Sequence, residues 1–144
     1  MKGRVLIAAG SDSGGGAGIQ ADIKTVTALN GFAMTAITAL TAQNTLGVHD
    51  VLPVGIDFIQ TQMSVVLDDL GADCLKTGML HSSEVIAAVR EIVDAKGGDI
   101  PLVVDPVMVA KGGATLLGGD AVAAMREQLL PIARIITPNI PEAE

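Results

Sequence analysis

Gly10-Ser11-Asp12-Ser13-Gly14-Gly15-Gly16-Ala17-Gly18 is the stretch that decides how this sequence folds. It joins an apolar run, Val5-Leu6-Ile7-Ala8-Ala9, to a helical pattern that begins near Ile19. Five glycines in nine residues let the backbone turn sharply and approach a ligand closely. The free N–H groups of the helix start that follows suit an anion or a polar ligand. The loop lacks Gly-Lys-Ser/Thr and is not a Walker A loop. Gly16-Ala17-Gly18-Ile19-Gln20-Ala21 fits the loose dinucleotide pattern G-x-G-x-x-G/A. That pattern expects an acidic residue about 20 positions on, to hold a ribose. No Asp or Glu occurs between Asp22 and Asp50, which weakens the dinucleotide reading. A ligand-free strand–helix turn and a small-molecule loop both remain open.

Outward from the loop, apolar runs alternate with amphipathic ones. Val5–Ala9 reads as a buried strand, and 19–30 as a helix with Ile19, Ile23, Val26 and Leu29 on one face. Residues 32–40 read as a second strand, followed by a polar loop over 41–47. Residues 51–54 suit a short edge strand, because Pro53 has no N–H to donate. Asp57 is the expected cap of a helix running to Leu70. A strand over 73–77 and a helix from Ser82 or Ser83 to Ala95 come next. Then follow a strand over 102–104, a helix over 120–130, a strand over 134–137 and a helix start at 138–144.

This alternation predicts one α/β domain, a parallel sheet with helices on both faces. Ligands in such sheets bind beyond the carboxyl ends of the strands. Those ends are Gly10-Ser11-Asp12, Thr41-Ala42-Gln43, Thr77-Gly78-Met79, Asp105-Pro106-Val107 and Thr137-Pro138-Asn139. Glycine and polar residues gather at every one, which points to a small-molecule site.

The 144 residues suffice for one domain with a core. Phe32 and Phe58 are the only aromatics, so base-stacking platforms for nucleic acid are not expected. The net charge of −7 has the wrong sign for non-specific binding to nucleic acid or acidic membrane. The single cysteine, Cys74, allows no internal disulfide and suits a reducing cytoplasm. The basic start, Met1-Lys2-Gly3-Arg4, precedes too short an apolar run for a signal peptide, and no run is long enough to span a bilayer.

Each candidate residue carries a bland alternative. Asp22 is a ligand contact or a solvated charge near a helix start. Gln43 reads a ligand edge with both donor and acceptor, or is a surface glutamine. Met79 is an apolar pocket wall or core filler. Asp105 organises a metal or caps a turn. Lys111, beside Gly112-Gly113, meets a phosphate or stays in solvent. Asn139 and Glu142 face the cleft or form a capping box. Cys74 reads as a buried strand residue, and His49 and His81 lack metal-ligand spacing.

The stretch 10–22 resembles the opening signature of the hydroxymethylpyrimidine/phosphomethylpyrimidine kinases of thiamine biosynthesis. Four further blocks match in order: 37–45, Lys76-Thr77-Gly78-Met79-Leu80, 105–113, and Thr137-Pro138-Asn139-Ile140-Pro141-Glu142-Ala143-Glu144. The resemblance implies a ribokinase-like, three-layer α/β/α fold. It implies ATP-dependent phosphorylation of 4-amino-5-hydroxymethyl-2-methylpyrimidine and then of its monophosphate. Gly10, Asp22, Gln43, Met79 and Val107 fall where the family holds the pyrimidine. Asn139 and Glu142 match its Asn-x-x-Glu motif for magnesium and nucleotide phosphates. Lys111 is a weaker match near the nucleotide, and Asp105 joins Glu142 as a metal candidate.

The family's anion hole, catalytic base and adenine pocket are expected beyond Glu144. On that expectation, residues 1–144 are an incomplete domain, the amino-terminal half of such a kinase, with no catalytic residue of their own and little or no turnover alone. A homodimer and ATP with Mg2+ are implied in the same way. A pyridoxal kinase of the same fold and a non-catalytic pyrimidine-binding fragment are the alternatives.

Overall fold

The computed structural model describes residues 2–108 and 118–143. In chain order the elements are β1 (Arg4–Ala9), α1 (Gly18–Ala28), β2 (Phe32–Ile37), β3 (Ala39–Asn44), β4 (Gly47–Pro53) and α2 (Ile56–Asp69). There follow β5 (Cys74–Thr77), α3 (Ser83–Ile92), β6 (Leu102–Val104), α4 (Gly119–Ala124), β7 (Ile135–Ile136) and α5 (Ile140–Ala143). Five strands form one parallel sheet in the order β2-β1-β5-β6-β7. All five carboxyl ends therefore open on the same edge.

The strand period of two sorts side chains between the faces. Leu6, Ala8, Met34, Leu75, Leu102 and Val104 pack on one side, against Ile59 and Met63 of α2, Val85, Ile86 and Val89 of α3, and Ala121 and Ala124 of α4. Ile7 and Ala9 face the other side, where Ile19 and Val26 of α1 cover them. Full burial of each large aliphatic side chain contributes about 1.5–3 kcal/mol. The three-layer α/β/α arrangement is the one the sequence predicts.

One expected strand is two. The run 32–40 breaks at Thr38, which is fully buried. Its N–H donates to Ala9 O at 3.0 Å, its hydroxyl to Met79 O at 2.7 Å, and its carbonyl accepts from Val54 N at 3.0 Å. These bonds pin the chain at the sheet edge and send β3 out of the main sheet. β3 and β4 then pair antiparallel as a separate hairpin. The expected polar loop over 41–47 thus contains the end of β3 and the turn. Asn44 Oδ1 builds that turn by accepting from Leu46 N at 2.9 Å and Gly47 N at 3.2 Å. The polar Thr41 and Gln43 of this stretch turn inward to the glycine loop and the cleft, while Leu40 and Ala42 occupy the exposed hairpin face.

Smaller corrections have local causes. Gly55, not Asp57, precedes the first turn of α2. Asp57 lies within that turn, where its charge suits the helix dipole without a capping bond. Ser82 caps α3, accepting from Val85 N at 3.3 Å. The helix expected over 120–130 is regular only through Ala124, widens over 125–129 and tightens over 130–132 at Pro131, which has no N–H.

Candidate active site

Asp12 shapes the glycine loop. Its carboxylate accepts from Gly14 N at 2.8 Å, Gly16 N at 2.9 Å and Ala17 N at 2.8 Å, and the residue is only 5% exposed. The loop's anion cradle is therefore filled from within. These three N–H groups precede α1; of the helix-start N–H groups expected to face a ligand, Ile19 N donates instead to Gly10 O at 3.0 Å. Asp12 N in turn donates to Gln20 Oε1 at 2.7 Å, tying the loop to the first turn of α1.

The hairpin is stitched to the same loop. Ser11 N donates to Ala39 O at 2.9 Å, and Thr41 Oγ1 to Ser11 O at 2.8 Å. Ser13 Oγ donates to Gln43 O and accepts from Gln43 N, both at 2.8 Å. These bonds bring Gln43 beside the sheet edge although β3 lies outside the sheet. Its Oε1 accepts from Thr41 Oγ1 at 3.3 Å.

A cleft of about 470 Å³ opens at the carboxyl ends of the parallel strands. Gly10, Asp22, Gln43, Met79, Val107, Asp105, Asn139 and Glu142 all line it. Lys111 lies outside the described residues. Gly10 and Met79 touch closely, since Gly10 N donates to Met79 O at 3.2 Å and a Cβ on Gly10 would lie 2.5 Å from Met79 Cε. Asn139 and Glu142 form the reciprocal capping box: Glu142 N donates to Asn139 Oδ1 and Asn139 N to Glu142 Oε2, each at 3.0 Å. Glu142 Oε1 also accepts from Met108 N at 3.3 Å, joining the start of α5 to the segment that follows β6.

Lys76, a residue without an expected role, projects from β5 into this cleft. Its ammonium lies 3.1 Å from Asp22 Oδ2 and 3.8 Å from Asp105 Oδ2. Burial pushes the Asp105 carboxyl above the usual range; Lys76 opposes that rise, and Glu142 and Asp22 add to it. The available signal was Lys76's position, one residue before the end of a buried strand with its side chain on the α1 face.

Cys74 is half-buried, and burial pushes its thiol up, away from nucleophilic reactivity. A second, open recess of about 600 Å³ lies where α2 and α3 begin, near Phe58 and His81, and touches none of the parallel strands' carboxyl ends. Among the described residues no cluster of three or more His, Cys, Asp or Glu is placed to hold a metal. No helix among them is long and apolar enough to cross a membrane.

A family profile described as phosphomethylpyrimidine kinase matches residues 12–144. The chain belongs to the phosphomethylpyrimidine kinase family. It is 53% identical over 141 residues to the hydroxymethylpyrimidine/phosphomethylpyrimidine kinase of Bacillus subtilis, covering 98% of this chain and 52% of that protein. The crystal structure of phosphomethylpyrimidine kinase from Clostridium difficile superposes with a TM-score of 0.91 at 46% identity, covering 98% of this chain and 61% of that one. The pyridoxal kinase of Staphylococcus aureus, in complex with AMP-PCP and pyridoxal, superposes with a TM-score of 0.83 at 40% identity, covering 97% and 49%. The chain spans about half the length of the curated phosphomethylpyrimidine kinases it matches. The ribokinase-like fold is common to these neighbours.

Proposed function

We propose that this chain carries the pyrimidine half-site of an ATP-dependent kinase of thiamine biosynthesis. Its substrates are 4-amino-5-hydroxymethyl-2-methylpyrimidine and the corresponding monophosphate. The observation that carries this reading is the meeting of Gly10, Asp22, Gln43, Met79 and Val107 around one cleft. Residues from four separate strand ends and one helix share it.

Each group has chemistry that fits an aminopyrimidine. The Gln43 amide offers donor and acceptor to a ring edge. The Asp22 carboxylate accepts from an exocyclic amine. Met79 gives a polarisable apolar wall for the ring face, and Gly10 leaves room for it. Asn139 and Glu142 stand across the cleft, on the side proposed for the nucleotide phosphates.

The donor set fits Mg2+ in chemical type, because Asp105 and Glu142 supply hard oxygen ligands, and a bound cation would favour the charged Asp105 carboxylate against the burial, and the lesser repulsion from Glu142 and Asp22, that raise it. Bound there, magnesium would neutralise phosphate charge during transfer. The residues of this cleft contribute positioning and charge, the main requirements of phosphoryl transfer.

Calorimetric titration with the hydroxymethylpyrimidine tests the reading. Binding that Asp22→Asn and Gln43→Ala each weaken about tenfold or more supports it. A chain that leaves the pyrimidine unbound sinks it. The superposition on a pyridoxal-bound kinase favours pyridoxal as the second reading, so competition between pyridoxal and the pyrimidine belongs in the same titration. We also infer a homodimer, from the exposed Leu40 and Leu52 of the hairpin, and a reducing, cytoplasmic setting, from the lone Cys74.

A further inference from the structure

The described lining of the cleft contains four carboxylates, Asp12, Asp22, Asp105 and Glu142, and one ammonium, Lys76. Asp12 is turned into its own loop. Lys76 is therefore the cleft's positive group among the described residues, beside Asp22 and Asp105 and sharing the lining with Glu142. Such a cleft repels a phosphorylated ligand except where a cation stands.

The position of Lys76 matters more than its charge alone. Nζ lies 3.1 Å from Asp22, which the proposed reading puts at the pyrimidine end, and 3.8 Å from Asp105, which it puts at the phosphate end. On the pyrimidine-kinase reading, on which this inference rests, the substrate's hydroxymethyl points from the first toward the second. A phosphate already carried on that oxygen enters the space beside Nζ. An ammonium has three N–H donors. Among the described residues only Asp22 is within hydrogen-bond distance; Asp105, at 3.8 Å, is beyond it.

We propose that Lys76 is the specificity residue that admits the phosphorylated pyrimidine to this cleft, by donating to the substrate's own phosphate. The free alcohol has no charge to neutralise and depends on Lys76 far less. One site thereby serves two successive substrates, with Lys76 paired to Asp22 for the first and shared with the phosphate for the second.

The test is the ratio of affinities for the alcohol and its monophosphate, measured by calorimetry on wild-type chain, Lys76→Met, Lys76→Gln and Lys76→Arg. Because both ligands are titrated into one preparation, a partly folded sample alters both affinities together and leaves the ratio intact. The two neutral variants should weaken the monophosphate about tenfold or more and the alcohol less than about threefold. Lys76→Arg, which keeps the charge, should retain most monophosphate binding. A parallel readout is the KM for each substrate in a hybrid where this chain replaces the matching residues of the Bacillus subtilis relative. Equal losses for both ligands, or none, overturn the role of Lys76 and leave the pyrimidine site standing. Wild-type binding of the alcohol without the monophosphate does the same. Failure of the wild-type chain to bind either one overturns the pyrimidine reading itself, and this inference with it.

Discussion

Two glycines of the opening loop have opposite sensitivities. At Gly10 an added Cβ meets the Cε of Met79 at 2.5 Å, the far end of a flexible side chain. At Gly18 it meets Gly10 O at 2.5 Å, which is backbone, and φ is +57°, a value L side chains rarely adopt. Gly10→Ala should therefore fold but push Met79 out of place, with little change in urea midpoint and, on the proposed function, a lower affinity for the pyrimidine. Gly18→Ala should lose more than about 1 kcal/mol of stability in the same urea titration. Equal midpoints for the two variants would contradict this division. Asp12→Ala makes a third case, because it strips the acceptor from three loop N–H groups. A loss of about 3 kcal/mol is expected, and added formate should restore part of it by refilling the cradle. A formate-insensitive variant would show that the cradle does not hold the loop. Residue type alone hid this role, since an Asp in a glycine loop reads equally well as ligand contact or turn former. What decides it is the closing of the chain back on its own side chain.

Elements show where a linear reading succeeds and where it stops. The parallel strands were legible because a short apolar run between two helical patterns suits little besides a buried strand. The hairpin was not, because neither of its strands shows the strict alternation of polar and apolar residues that marks a half-buried strand, and its route depends on contacts with Ser11, distant in sequence. Gly10, Gln43, Met79, Asp105 and Val107, which line the cleft, were legible as strand ends, whereas the Lys76–Asp22 pairing depends on the register of β5 beside β1. Register also leaves β2 with a free edge at Ile37, and Gln62 of α2 closes it. Its Oε1 accepts from Ile37 N at 2.9 Å and its Nε2 donates to Ile37 O at 3.1 Å, as a neighbouring strand would. Gln62→Leu should cost about 1–3 kcal/mol by leaving both groups unpaired, and amide exchange at Ile37 should accelerate. Unchanged exchange there would rule the substitute-strand role out. At the other end of β1, Arg4 pairs with Asp73 at 2.9 Å. The bonds from Arg4 hold the Asp73 carboxyl down from 3.8 to about 2. A lowered carboxylate stabilises the fold above its ordinary value and stops doing so as pH falls through the lowered one. The Asp73 contribution should thus fade between about pH 4 and pH 2. Asp73→Asn should flatten the acid limb of stability over that window; an unaltered limb would assign the acid sensitivity elsewhere. The pair is exposed, so the effect should be small and weaken with salt.

Across the whole molecule, apolar burial is uneven. One face of the sheet is packed by three helices, while α1 alone covers its part of the other. Ile135 and Ile136 of β7 remain 55% and 48% exposed, at the end of the strand order among the described residues. Leu40 and Leu52 sit directly opposite each other across the hairpin and are 44% and 65% exposed. An unpaired strand edge and an apolar hairpin face are both surfaces on which another chain can settle. A net charge of −7 opposes association only over a Debye length, about 8 Å at physiological ionic strength. Self-association at micromolar concentration is therefore expected, and salt should strengthen it by screening that charge. The hairpin and β7 predict different assemblies. A paired hairpin face closes on itself as a two-fold dimer, whereas an open strand edge can recruit further chains. Sedimentation velocity distinguishes them: Leu40→Lys with Leu52→Lys should convert a discrete dimer to monomer. If the double variant leaves the distribution unchanged and larger species persist, the exposed strand edge is the surface in use and the hairpin dimer is wrong.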